Sequence, residues 1–247
     1  CLMRAVGVVA TGAAAERGRP AYLINATLQD NDAEMVAALR EFRHIWVRES
    51  ASAEWARAQG LAVTLCPDLS LCQSGLAPSQ ALTGKPAVID SVLPEANLAL
   101  ARHAAALGTR LWGMKHDETG RLLSCPPPAV LRGDGTALPF EPFGPPRDFV
   151  GFARQLGARS RLITGRFHAV CLAMVLRLPF HAIASNTWKI EAMLADAGLD
   201  PRRVIGTDDP TPDALPFTAA EAGALDRYLR RARFEAGEMA ARILARD

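Results

Sequence analysis

A chain of 247 residues, 49% of them hydrophobic, has enough apolar material for one large core or two small ones. Its 28 basic and 26 acidic residues leave a formal charge of +2, which argues against nucleic acid as the main partner, because phosphate-backbone binding needs a concentrated basic patch. The longest apolar run, residues 169–176, falls far short of the ~20 residues of an integral membrane segment. The five cysteines (Cys1, Cys66, Cys72, Cys125, Cys171) have neither zinc-site spacing nor an even disulfide framework, which points to reduced thiols in a cytoplasmic protein.

Taken in order, residues 2–10 are small and apolar and read as a helix, followed by a polar connection over 11–20. A strand is predicted over 21–25, a helix with an acidic first turn over 32–42, and a strand over 44–47. Arg48, Glu49 and Ser50 close that strand, a helix over 51–59 stops at Gly60, and a short strand over 63–65 runs into Pro67 and Asp68. Residues 69–84, rich in Ser, Gly, Gln and Pro, read as an interdomain linker.

Alternation of strand and helix resumes beyond the linker. A strand over 87–89 ends at Asp90 and Ser91, a helix covers 95–107 and stops at Gly108, and a strand over 110–114 ends at Lys115 and His116. Residues 120–146, dense in proline, read as an irregular excursion outside the core. A helix over 148–156 leads to a β-α-β unit: strand 161–164, turn at Gly165, helix 167–176, strand 179–184. Both strands are short and mainly apolar, as in a parallel sheet covered on two faces. A helix from Lys189 to 197, a strand over 203–205 and a long amphipathic helix over 219–245 complete the chain. On that last helix Leu225, Tyr228, Leu229, Ala232, Ala236, Met239, Ile243 and Leu244 mark one face, and Asp226/Arg230, Arg231/Glu235 and Glu238/Arg242 are charge pairs four apart.

Polar residues collect where the strands stop. Arg166 and His168 follow one strand at the opening of a helix, where unpaired N–H groups and the helix dipole favour an anion. Ser185, Asn186 and Lys189 follow the next strand in the same way, and ligands of open α/β sheets bind beyond the carboxyl ends of the strands. Each candidate has a plainer reading beside the functional one. Arg48 could pair with Glu49 or Glu54 on the surface, Asp68 could cap the turn after Pro67, Asp90 and Ser91 could cap the following helix, and Lys189 could be a solvated helix residue. His44 and His103 read as structural, while His116 and His181 stay open. No P-loop, G-x-S-x-G elbow, H-E-x-x-H or dinucleotide fingerprint is present, and no acidic cluster suggests a metal.

Arg166-Phe-His168-Ala, a helix, Leu178-Pro179, a strand and Lys189 about twenty residues on resembles the Arg-x-His signature of the polysaccharide pyruvyl transferase family. The earlier order of a strand, Val47-Arg48-Glu49-x-x-Ser, a helix, Gly60, a strand and Pro67-Asp68 is similar to the first domain of the same family. The resemblance implies an α/β fold of two Rossmann-like domains in a glycosyltransferase-B-like arrangement: an incomplete N-terminal domain over 1–75, a C-terminal domain over 85–218, and a helix over 219–247 that packs back across both. It also implies transfer of an enolpyruvyl group from phosphoenolpyruvate to hydroxyls of a polysaccharide precursor, closing a pyruvate ketal, with no cofactor beyond that donor substrate.

On this reading His168 and Arg166 are catalytic. Arg48, Ser50, Asp68, Asp90, Ser91, His116, Ser185, Asn186 and Lys189 bind substrates, with Arg48 facing Arg166 across an interdomain cleft. The partners are phosphoenolpyruvate and a glycan acceptor, and a lipid-linked acceptor would bring the protein to the inner membrane. Two other readings stand beside it: a glycosyltransferase of related fold using a nucleotide-activated, even acidic, sugar, and a catalytically silent glycan-binding domain. The third rests on the family's Asn-x-Gly-Asp stretch, which is not found before Leu23, so the chain is expected to begin inside its first domain.

Overall fold

A computed structural model of the chain describes residues 20–73, 75–76, 84–115, 135–143 and 149–245. The helix expected over 2–10 and the candidate His116 lie outside the described residues. The chain divides into two units, Cys1–Cys72 with Tyr228–Asp247, and Gln73–Arg227.

In the first unit β1 (Tyr22–Ala26), β2 (His44–Val47) and β3 (Val63–Leu65) form a parallel sheet in the order β1-β2-β3. The connections are α1 (Ala33–Leu39) and α2 (Ser50–Ala58). Asp32 caps α1 by accepting from Met35 N at 2.9 Å, and the chain leaves α2 through Gly60 at φ +70°, a conformation that suits glycine. Val36, Leu39, Ala53 and Ala56 of the helices pack on Ile45 and Val47. On the opposite face Trp46 and Cys66 pack against Met239 of α7 (Ala219–Leu244). A sheet buried on both faces needs apolar residues at successive positions, which β2 supplies.

The second unit holds β4 (Ala87–Ser91), α3 (Pro94–Ala106), β5 (Leu111–Gly113), β6 (Phe140–Pro142), α4 (Phe149–Gly157), β7 (Leu162–Gly165), α5 (Phe167–Leu176), β8 (Phe180–Ile183), α6 (Lys189–Asp196) and β9 (Val204–Ile205). Its strands are all parallel, in the order β6-β5-β4-β7-β8-β9. Counted by appearance this is 3-2-1-4-5-6, the order of Rossmann-type sheets, which reverses between the first and fourth strands. Small residues of α3 (Ala96, Ala99, Ala101, Ala104) let that helix lie close on Val88, Leu111, Ile163 and Ile183.

Four expectations need correction. Part of the supposed excursion over 120–146 is β6, an edge strand beside β5, with Phe143 buried next to it. Pro142 is tolerated there because an edge position does not require every N–H to be paired. Leu244 is 80% exposed, one step off the buried stripe of α7, and Asp226 pairs with Arg177 in place of Arg230. Arg203, assigned from sequence to the last strand, ends a 3-10 turn over Pro201–Arg203.

That arginine is fully buried. Its Nε and Nη2 donate to Glu221 at 3.0 and 3.1 Å, and its guanidinium lies 4.3 Å from the Phe217 ring centre. Glu221 also completes a capping box at the start of α7: its Oε2 accepts from Thr218 N at 3.0 Å, while Thr218 Oγ1 accepts from Glu221 N at 3.2 Å.

β4 and β7 approach closely at Gly165, where an added Cβ would stand 2.4 Å from both Cβ and Oγ of Ser91. Gly165→Ala is therefore expected to destabilise the protein by about 1–3 kcal/mol, the usual range for overpacking a core. Gly165→Ala with Ser91→Gly should recover most of the loss of Tm, whereas Ser91→Ala in the same background, which keeps the Cβ, should recover little.

Candidate functional site

Reversal of strand order between β4 and β7 opens a crevice at their carboxyl ends. Asp90 and Ser91 reach it from β4, and Gly165 with Arg166 from β7. The Arg166 side chain crosses to Asp90 and grips it with two bonds, Nε to Oδ1 at 2.8 Å and Nη2 to Oδ2 at 2.5 Å. Asp90 Oδ1 also accepts from Met114 N, just past β5, at 3.1 Å. The Asp90 carboxylate is 0% exposed and the Arg166 side chain 13%. Asp90 is therefore not the helix cap that the sequence allowed. Nor does Ser91 cap α3, whose N-cap position is Leu93; it shapes the turn before the helix, its Oγ accepting from Leu93 N at 3.1 Å while Ser91 N donates to Asn97 Oδ1 at 2.7 Å.

Arg166 stands at the N-cap position of α5. Every residue of that helix is buried except His168, which is exposed in the first turn with its ring edge-on to Phe167. A helix sunk in the core on all sides normally carries no polar residue, so the one that breaks the pattern, at the carboxyl edge of the sheet, marks the surface a ligand can reach. After β8, Ser185 Oγ and Lys189 Nζ both donate to Asn186 Oδ1, at 3.1 and 2.7 Å. These three residues thus gather at the start of α6.

The smaller unit carries a comparable group at its own carboxyl edge. Arg48, directly after β2, donates from Nε to Thr27 Oγ1 at 2.7 Å and from Nη1 to Asp68 Oδ2 at 3.0 Å. Its Nε is also 3.6 Å from Glu49 Oε2, which accepts from Thr27 Oγ1. Arg48 is thus a mostly buried member of a network, not a surface partner of Glu49 or Glu54. Asp68 Oδ1 accepts from Ser70 N and Oγ at 2.9 and 2.6 Å, so it both caps its turn and holds the arginine. Burial alone would raise the Asp68 carboxyl, but the Ser70 hydrogen bonds and then the Arg48 charge outweigh it and hold it below the usual carboxylate value.

Three participants here were not among the candidate site residues. Thr27 and the buried carboxylate of Glu49 belong to the Arg48 network, and Ser52, whose hydroxyl meets Glu49 and Leu28, is the buried hydroxyl where Ser50, which opens α2, was expected. Glu49 and Ser52 were visible in the Val-Arg-Glu-x-x-Ser spacing. Thr27 had no local signal.

The other histidines divide as follows. His44 Nε2 meets Thr64 Oγ1 at 2.9 Å, and His103 Nδ1 meets Thr211 Oγ1 at 2.9 Å, both structural arrangements. His181 lies within β8, buried and away from the carboxyl edge, and its pKa is pulled down to about 4 by burial and then by Arg203, Arg161 and His103. Among the described residues no group of three or more His, Cys, Asp or Glu is placed to hold a metal ion, and no helix is long and apolar enough to cross a membrane.

A family model described as polysaccharide pyruvyl transferase matches residues 10–187, a span that includes Arg48, Asp90, Arg166 and His168. A search of curated proteins gives no match. Among solved structures, a crystal structure of the glycotransferase of kitacinnamycin is similar at 15% identity and a TM-score of 0.49, covering 94% of this chain and 71% of its own. A ugt transferase from Siraitia grosvenorii in complex with UDP is similar at 15% identity and a TM-score of 0.31, covering 85% of this chain and 52% of its own.

Arg166→Ala would strand a buried carboxylate, a change that typically costs about 3–5 kcal/mol, whereas His168→Asn at an exposed position should stay within about 0.5 kcal/mol. Melting curves of the two variants check the contrast. For His181 the sign follows from its depressed pKa: between about pH 6.5 and about 4 the unfolded chain binds the proton and the folded protein does not. Stability should therefore fall on acidification through that window, by about 3 kcal/mol from this residue. His181→Leu should flatten the slope in urea titrations across that pH range, leaving the parts due to His103 and His44, whose pKa values burial also lowers.

Proposed function

The chain belongs to the polysaccharide pyruvyl transferase family, and on that premise we propose that it moves a pyruvyl group from phosphoenolpyruvate onto a pair of hydroxyls of a glycan precursor, closing a ketal. The observation that carries this reading is the pairing of Arg166, held at the mouth of α5, with His168, the one residue of that helix exposed to solvent.

In this reaction the enol methylene of the donor takes up a proton and becomes a methyl group. A sugar hydroxyl oxygen bonds to the neighbouring carbon and gives up its own proton. Attack by the second hydroxyl closes the ring as the bond between that carbon and the phosphate oxygen breaks. Phosphate departs with the electron pair, and the second hydroxyl proton goes with it. Atoms and charge balance without any redox partner.

The donor carries a carboxylate and a phosphate, and both suit guanidinium groups and the N–H groups of a helix opening. We assign donor charge to Arg166, to the first turn of α5 and to Lys189, with Ser185 and Asn186 as hydrogen-bonding groups beside it. Arg48, at the carboxyl edge of the smaller sheet, is assigned an anionic group of the substrates as well. His168 is assigned the proton, accepting it from the attacking hydroxyl and giving it to the methylene, work that an imidazole performs near neutral pH. A lipid-linked acceptor would bring the protein to a membrane surface without a spanning helix.

The test is release of inorganic phosphate from phosphoenolpyruvate in the presence of a panel of pyranosides. His168→Asn should leave donor affinity nearly intact and lower turnover by roughly 10²–10⁴-fold, the usual loss for a general acid or base. Arg166→Lys, which keeps the charge but not the fork, should weaken donor binding instead. Binding of a nucleotide sugar with none of phosphoenolpyruvate would replace this reading by that of a glycosyltransferase, and binding of glycans alone by that of a silent glycan-binding domain.

A further inference from the structure

Asp90, near the end of β4, and Asp68, just past β3, stand at carboxyl edges, where substrate ligands are expected, yet neither exposes an oxygen to a substrate. Asp90 is 0% exposed: its Oδ1 receives Arg166 Nε and Met114 N, and its Oδ2 receives Arg166 Nη2. Asp68 is 1% exposed: its Oδ1 receives Ser70 N and Oγ, and its Oδ2 receives Arg48 Nη1. Both carboxylates would also repel the anionic donor if they touched it.

We propose that Asp90 and Asp68 are positioning residues that act on the substrates only through the arginines they hold, Asp90 fixing the plane of the Arg166 guanidinium with two bonds and Asp68 anchoring one nitrogen of Arg48, whose Nε is held by Thr27. The proposal rests on the reading of Arg166 and Arg48 as anion ligands. Physical chemistry gives the reason for such an arrangement. A free arginine side chain samples many rotamers, and ordering it on binding costs affinity each time; a bidentate carboxylate removes that freedom in advance. The carboxylate also cancels part of the arginine's charge, so a gain in affinity from preorganisation has to exceed an electrostatic loss. The two effects have opposite signs, which makes the proposal testable. Removing the charge while keeping the shape should strengthen anion binding if charge dominates, and weaken it if orientation does.

The backbone around Asp90 favours orientation. Met114 N fixes one oxygen from the β5 side, and Thr164 Oγ1, which accepts from Arg166 N at 3.0 Å, fixes the start of the Arg166 backbone. Gly165 admits the close approach of β7 to Ser91, directly after Asp90. The carboxylate and the root of the arginine are thus both located by main-chain contacts, and the guanidinium between them has one pose. Asp68 is fixed comparably by the main-chain and side-chain bonds of Ser70.

The experiment measures, on the whole chain, binding of phosphoenolpyruvate, UDP and CMP by calorimetry, together with Tm and the KM and kcat of phosphate release, for wild type, Asp90→Asn, Asp68→Asn, Arg166→Lys and Asp90→Asn with Arg166→Lys. Expected for Asp90→Asn is a loss of about 10- to 100-fold in affinity for whichever anion the wild type binds, the scale on which small misplacement acts. It should appear mainly in KM. In the Arg166→Lys background the same aspartate change should add little, because its path of action is already gone. Asp68→Asn, in the other unit, gives an independent reading if the Asp90 variant is too unstable to study.

Unchanged or tighter anion binding by folded Asp90→Asn and Asp68→Asn proteins, with only Tm lowered, would reduce both aspartates to structural residues and overturn the proposal. If the wild type binds UDP or CMP but not phosphoenolpyruvate, the pyruvyl-transfer reading fails while the positioning role is still read on the nucleotide. A wild type that binds none of the three overturns both.

Discussion

The carboxyl edge of the six-stranded sheet is built around one buried ion pair, Asp90 with Arg166. Two charges removed from water lose several kcal/mol of hydration each, and the loss is recovered only if geometry is good and the remaining lone pairs are satisfied. Both conditions hold: the contact is two-pronged, and the main-chain N–H of Met114 completes Asp90 Oδ1. The pair ties together the ends of three neighbouring strands, β4, β5 and β7, at the place where strand order reverses. Sheets of this topology open there, because the connections from the first and fourth strands leave in opposite directions. Asp90 and Arg166 therefore hold in register the strand ends that would otherwise be least constrained.

This also explains why Arg166 is a poor candidate for a simple binding residue whose removal leaves the rest intact. Its side chain is both an internal partner of a buried carboxylate and the cation at the mouth of α5. Ligand binding and folding draw on the same group, so measurements on an alanine variant mix the two. His168 is free of that ambiguity. It is the second residue of a helix whose other residues are all buried, and its exposure contributes nothing to the core.

Much of the architecture is legible in the amino-acid order, for a physical reason. Parallel strands buried on both faces are short continuous apolar runs, so Leu162–Gly165 and Phe180–Ile183 stand out, and the helix Phe167–Leu176 between them is bounded by Gly165 and Pro179. Local signals also locate the helix ends at Asp32, Gly60, Gly108 and Gly198, the three glycines having positive φ. What stays hidden is long-range. Asp90 and Arg166 are 76 residues apart, and Arg203 finds Glu221 only because the 3-10 turn and the start of α7 fold together. No periodicity carries such information, and a residue like Asp90 presents itself in sequence as a helix cap because that is the commonest use of an acid before a helix. β6 was missed for a different reason: proline in Phe140–Pro142 argues against a central strand, and this strand is an edge.

The smaller unit solves the same electrostatic problem with different parts. Arg48 has two buried carboxylates near it, Asp68 and Glu49, with Thr27 between the arginine and the glutamate. Such a group is stable only where hydroxyls and main-chain N–H groups share the load, as Ser52, Thr27 and Ser70 do. Arg48 is 14% exposed against 1% for Asp68 and Glu49, so an anion would reach the arginine ahead of either carboxylate, as it would reach Arg166 ahead of Asp90. Both edges therefore present an arginine outward with its carboxylate behind it, and beside His168 the opening of α5 adds its own positive potential to that of Arg166.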